Sequence, residues 1–133
     1  MLGRLNHVAI AVTDLKSAAN TYRDILGAKV GEPLDQPEHG VTVVLIELPN
    51  TKVELITPLG ENSPIFNFLN KNKNGGIHHI CYEVKDLELS MNILMKNNYK
   101  IIGDNPKIGA HGKPVIFLHP SGFDGTLIEL QEE

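Results

Sequence analysis

The chain has one cysteine, Cys81, among its 133 residues, so no intramolecular disulfide can form. That usage fits a reducing compartment. Positive charge is not in excess: 12 Lys and Arg against 16 Asp and Glu leave a net charge of −4. Binding along a phosphate backbone needs a basic surface, so nucleic acid is not an expected partner. Apolar runs such as Val41 to Ile46 fall far short of the roughly 20 residues that a membrane-spanning helix needs, so no membrane partner is expected. No Arg/Ser-rich or apolar leader precedes the patterned sequence beginning at Leu5, so either the protein works where it is made or a leader has been removed.

What is present is ordinary globular composition: 41% hydrophobic and 21% charged residues, in a length that suits one compact domain or two fused half-domains. The chain also carries an internal repeat. A shift of 72 positions aligns His7 with His79, Val12 with Val84, Asp14 with Asp86 and Leu15 with Leu87. The same shift pairs Asn20 with Asn92, His39 with His111 and Gly40 with Gly112.

Each copy reads as βαβββ. In the first, Leu5 to Val12 alternates and is rich in β-branched residues, which predicts a strand. Thr13 or Asp14 then caps a helix with Leu15, Ala18, Ala19, Tyr22, Ile25 and Leu26 on one face, stopped by Gly27. A strand near Ala28 to Gly31 follows, then a polar loop from Pro33 to Gly40. Strands Val41 to Leu48 and Lys52 to Thr57 are joined by the turn Pro49-Asn50-Thr51.

The second copy predicts a strand at Ile77 to Val84 and a helix capped by Asp86 carrying Leu87, Met91, Leu94 and Met95. Strands follow near Lys100 to Gly103, Val115 to His119 and Thr126 to Gln131. Between the copies, Ser63 and Pro64 mark a short helix, with Ser as N-cap and Pro at the first helical position. The expected organisation is one α+β domain over residues 1–133. Its parts are a first module at about 4–58, a linker helix and loop at about 59–75, and a second module at about 76–133.

Four residues occupy matched places in the two copies. His7 and His79 lie in the first strand of each, and Glu54 and Glu129 interrupt the apolar last strand of each. Singly, such residues are more often hydrogen-bonded or solvent-facing. If the halves are related by a pseudo-two-fold axis, two imidazoles and two carboxylates face one point, which is a metal-ligand set. His78 is the rival to His79, and because adjacent strand residues point to opposite faces only one of them can be a ligand. The repeat selects His79.

Several motifs resemble one family. Leu5-Asn6-His7-Val8-Ala9-Ile10-Ala11-Val12 followed by Asp14-Leu15 resembles the opening of the methylmalonyl-CoA epimerases, and Gly75-Gly76-Ile77-His78-His79-Ile80-Cys81 their central motif. Lys107-Ile108-Gly109-Ala110-His111-Gly112-Lys113-Pro114 and Phe117-Leu118-His119-Pro120 resemble their C-terminal signature, especially in the animal form. The resemblance implies a vicinal-oxygen-chelate, or glyoxalase-like, fold: paired βαβββ modules forming a cupped mixed sheet around one divalent metal. It implies interconversion of the 2R and 2S forms of methylmalonyl-CoA during propionate breakdown. It places metal ligands at His7, His79 and Glu129, with Glu54 at the remaining ligand position. Co²⁺ is the first choice in vitro, with Zn²⁺, Mn²⁺ or Ni²⁺ as alternatives. It also implies a homodimer, in the mitochondrial matrix of a eukaryote or the cytoplasm of a bacterium. One departure stands out. Bacterial members carry Gln at the place of Glu54 and an acid/base Glu where this chain has Val43, which leaves the second base open.

On that resemblance, Glu129 and Glu54 are the candidate acid/base pair, with a metal-bound water or His119 as the other option for the second group. Lys113, His111 and His119 are candidate substrate contacts. Lys71, Lys73 and Lys107 lie in loops suited to coenzyme A phosphates, although solvated lysines explain Lys71 and Lys73 equally well. Lactoylglutathione lyase shares the fold and the two-His, two-Glu set, and a metal-free binding module is the non-catalytic alternative. The loop motifs favour the epimerase.

Overall fold

Alternating strands and capped helices recur in two successive sets in the computed structural model, which describes residues 1–133. The first set is β1 (Leu2–Ala11), α1 (Leu15–Asn20), β2 (Lys29–Val30), β3 (Leu34–Gln36), β4 (Val41–Glu47) and β5 (Lys52–Pro58). After a connecting helix, α2 (Ile65–Lys71), come β6 (Gly76–Val84), α3 (Leu87–Lys96), β7 (Ile101–Ile108), β8 (Pro114–Leu118) and β9 (Ile128–Glu132). Asp14 and Asp86 cap α1 and α3 by accepting from the amides of Ser17 and Leu89, at 3.0 and 2.8 Å.

The chain divides into two compact units, His7–His78 and Met1–Asn6 together with His79–Glu133. The connecting helix falls within the first of these units, and the first six residues fall within the second.

In the first module β5 pairs in parallel with β1 and antiparallel with β4, and β2 and β3 both pair antiparallel with β4. Both faces of this sheet carry apolar clusters. Val44, Ile46 and Leu55 pack with Ala19 of α1, while Ala9, Ala11, Val41, Val43 and Ile56 pack with Ile65 of α2. Ser63 accepts from the Ile65 amide and its hydroxyl donates to the Gly40 carbonyl, tying the start of α2 to the loop before β4.

Two expectations are corrected here. Residues 34–36 are a strand rather than part of a polar loop, because they meet Val41, Thr42 and Val43 in antiparallel register. Ile25 and Leu26 do not share the buried face of the first helix: they are 78% and 64% exposed. The helix passes into a π-turn at Thr21–Ile25, closed by Leu26 N to Thr21 O at 3.1 Å. An i→i+5 turn holds more residues than the 3.6 of an α-helix, so the spacing that buries Ala19 stops repeating.

The second module has the same pairing logic. β9 is parallel to β6 and antiparallel to β8, and β7 is antiparallel to β8. Even-numbered residues of these strands, Ile116, Leu118, Ile128 and Leu130, pack with Leu87 and Leu94 of α3 in one cluster. Met95, expected on that helix face, is instead 52% exposed. The odd-numbered face carries Cys81, Glu83, Glu129, Gln131 and Val115, all buried. Strand β7 runs five residues beyond its expected end and its register with β8 shifts between Ile102 and Lys107, an irregularity the sequence pattern did not signal.

Candidate functional site

Strand register sets the chemistry of both modules. In the first, Ala9 on β1 is the cross-strand partner of Glu54 on β5, so His7 lies two residues before Glu54's partner on the same face. In the second, Cys81 on β6 is the partner of Glu129 on β9, and His79 lies two residues before it. The same diagonal therefore occurs twice. His7 Nε2 stands 3.1 Å from Glu54 Oε2, and His79 Nε2 stands 3.0 Å from Glu129 Oε2. All four side chains are almost wholly buried. Buried carboxylates and imidazoles need partners of this kind, since either charge alone is costly away from water. An imidazole nitrogen set against a carboxylate oxygen is also the donor chemistry that suits Co²⁺, Zn²⁺, Mn²⁺ or Ni²⁺, so the residues fit the expected ion.

The surroundings of the two pairs differ. Glu54 faces Leu45 across β4, and Val43 on the same face is buried among Ala9, Ala11, Ile56 and Ile65. Val43 is thus part of an apolar core. Glu129 faces Phe117 across β8. The Phe117 ring meets the His79 ring edge to face, with centroids 5.4 Å apart and planes at 87°. The turn between β7 and β8 also approaches Glu129: a methyl added to Gly109 would stand 3.7 Å from Glu129 Oε1. His78 points elsewhere, with its ring 5.1 Å from that of Phe68.

A similarity search matches residues 6–117 to the model of the Glyoxalase/Bleomycin resistance protein/Dioxygenase superfamily. A protein of Cereibacter sphaeroides named ethylmalonyl-CoA/methylmalonyl-CoA epimerase is 61% identical over 99% of both chains. The chain belongs to this superfamily, and within it to the methylmalonyl-CoA epimerases. The human mitochondrial methylmalonyl-CoA epimerase is 56% identical, over 98% of this chain and 74% of its own. Among solved structures, a methylmalonyl-CoA epimerase in complex with methylmalonyl-CoA and NH4+ superposes with a TM-score of 0.92 at 27% identity, covering 100% of this chain and 96% of that one. The fold is accordingly the glyoxalase-type α+β fold expected from the sequence.

The epimerase signature loops are placed as follows. His111 lies in the turn closed by Gly112 N to Gly109 O, with its Nε2 shielded from solvent. Its repeat counterpart His39 lies in an equivalent turn, closed by Gly40 N to Pro37 O. His119 caps the short helix Pro120–Gly122: its Nδ1 accepts from the Ser121 amide at 3.1 Å. Lys113 is exposed, and its Nζ donates to the Glu133 carbonyl at 2.9 Å. Lys71, Lys73 and Lys107 are exposed.

Sequence reading missed one group. Glu83 is buried, accepting from Asn6 Nδ2 at 2.9 Å and from Arg4 Nε and Nη2 at 3.2 Å each. This contact raises the Arg4 pKa through its hydrogen bond and the carboxylate charge. The available signal was a carboxylate at position 83, which shares a face of the strand with His79 by the two-residue period of a strand.

Proposed function

We propose that the chain interconverts (2R)- and (2S)-methylmalonyl-CoA by proton transfer at C2. In this reading His7, Glu54, His79 and Glu129 hold one divalent metal ion, and both modules serve as one domain. The observation that supports it best is the repeated register, which sets one His against one Glu in each module at nearly the same distance. Two donors from each module complete the four-ligand set that the family resemblance implies.

The reaction breaks the C2–H bond beside a thioester and spreads the electron pair into an enolate. A divalent ion held by His7, Glu54, His79 and Glu129 would supply Lewis acidity where that negative charge develops. Glu129 takes the C2 proton on one face, and Glu54 returns a proton to the other. Their burial and their His partners hold each carboxylate in one orientation, and Phe117 keeps water from one side of Glu129. Val43 contributes no proton chemistry, which is why Glu54 carries the second role. His111, in the turn against Glu129, contacts the acyl end of the substrate. Lys107 and Lys113 meet the coenzyme A phosphates, with His119 shaping the adjoining loop.

The Cereibacter relative's name includes ethylmalonyl-CoA, which supports acceptance of a second alkyl group by this chain. The human relative is named as mitochondrial. On this reading the chain works in the mitochondrial matrix of a eukaryote or the cytoplasm of a bacterium, as a homodimer. No helix is long and apolar enough to cross a membrane.

The test is deuterium uptake at C2 of (2R)-methylmalonyl-CoA in D₂O, with protein stripped by EDTA or reloaded with Co²⁺. Metal-dependent uptake with formation of the 2S epimer is the expected result. Absence of uptake with every divalent ion rejects the reading and directs the search to hemithioacetals.

A further inference from the structure

We propose that Phe117 sets which alkyl group the enzyme accepts at C2, its ring forming the wall against which a methyl group rests. The inference builds on the reading of Glu129 as a base. Phe117 is the direct antiparallel partner of Glu129, and such partners hold their Cβ atoms about 5 Å apart on one face. A C2 atom close enough to give its proton to Glu129 therefore brings its own substituent within reach of whatever stands beside that carboxylate.

Apart from the polar imidazoles of His79, paired with Glu129, and of His111 in the adjoining turn, the candidates beside Glu129 in this module are few. Cys81, the partner on β6, is fully buried and small. Gly109 presents only backbone. Val115 is buried, and a methyl on Gly109 would already stand 2.8 Å from its Cγ1, so that side is closed. Phe117 differs from these neighbours: it is only half-buried, it is apolar, and its ring is fixed edge-on to His79. It offers a rigid apolar surface beside the proposed base. Such a wall favours the alkyl group that fits it, and one methylene changes discrimination in an apolar pocket by about ten- to 200-fold. Methyl and ethyl are the two groups named for the Cereibacter relative.

The experiment uses the full chain loaded with Co²⁺ and compares kcat/KM for methylmalonyl-CoA and ethylmalonyl-CoA, both followed by C2 exchange in D₂O. Phe117→Leu shortens the wall, and Phe117→Met keeps much of the bulk while removing rigidity. Phe117→Leu is expected to raise the ethyl-to-methyl ratio by about tenfold, with Phe117→Met between it and the parent. The ratio is read on one enzyme preparation, so altered metal loading through His79 changes both substrates together and leaves it unmoved. An unchanged ratio in both variants, or in Phe117→Met alone if Phe117→Leu does not fold, overturns the proposal. Glu129→Gln is run in parallel. Activity surviving there refutes the base assignment, whereas an inactive Glu129→Gln with an unchanged ratio refutes the role of Phe117 alone.

Discussion

Asn6 and Glu83 are joined by a buried hydrogen bond, Nδ2 to Oε1 at 2.9 Å, at the residue that precedes His7 in the chain. Adjacent strand residues point to opposite faces, so this bond holds the backbone entering His7 from the side away from its imidazole. Glu83→Ala removes the acceptor of a buried amide and is expected to cost about 1–3 kcal/mol. Glu83→Gln, which still accepts, recovers most of that loss. Urea unfolding of both variants, alongside Co²⁺ titration, checks this. Equal stability of Ala and Gln contradicts it.

If Glu129 is both ligand and base, Glu129→Gln keeps a ligand oxygen but removes the carboxylate's basicity. Turnover is expected to fall by at least about 100-fold, the usual range for loss of a general base, while bound metal persists. Exchange kinetics with metal analysis on the same sample separates the two effects, and near-normal turnover discards the assignment.

Glu54→Gln addresses the opposite face of C2. If Glu54 returns the second proton, this variant binds metal and still washes deuterium into one epimer, but it fails to invert the centre. Time courses from each pure epimer in D₂O read this directly. Unimpaired inversion would make Glu54 a ligand only.

Gly75 has φ +81, and a Cβ there would collide with the Ala11 carbonyl, whereas Gly60 has φ +84 with nothing within 4 Å. Gly60→Ala therefore carries the conformational cost alone, about 1–2 kcal/mol. Gly75→Ala carries that cost and the collision, and its Tm is expected to lie clearly below that of Gly60→Ala. Matching melting curves would show that the strand end yields freely.

Much of this architecture was legible in the chain because duplication leaves marks in local pattern. The Asp86 cap was readable from residue type and position, and the first cap was narrowed to Thr13 or Asp14, since capping depends on neighbours within three residues; the structure selects Asp14. The matched His and Glu positions were readable for the same reason. The π-turn was not: Ile25 and Leu26 keep helical spacing in sequence. Strand β3 was hidden as well, because Leu34-Asp35-Gln36 is short and mostly polar and takes strand form by pairing with β4.

The residues by themselves determined the module order, the helix starts and the four candidate ligands, all properties that follow from short-range chemistry and periodicity. Tertiary structure alone decided that His7 meets Glu54 and His79 meets Glu129, that Val43 is core, and that Phe117 stands beside Glu129. The physical reason is register. A slip of one residue between β6 and β9 or between β1 and β5 would turn every side chain of the slipped strand to the other face, and packing against α3 in one module and against α1 and α2 in the other makes one register the stable one.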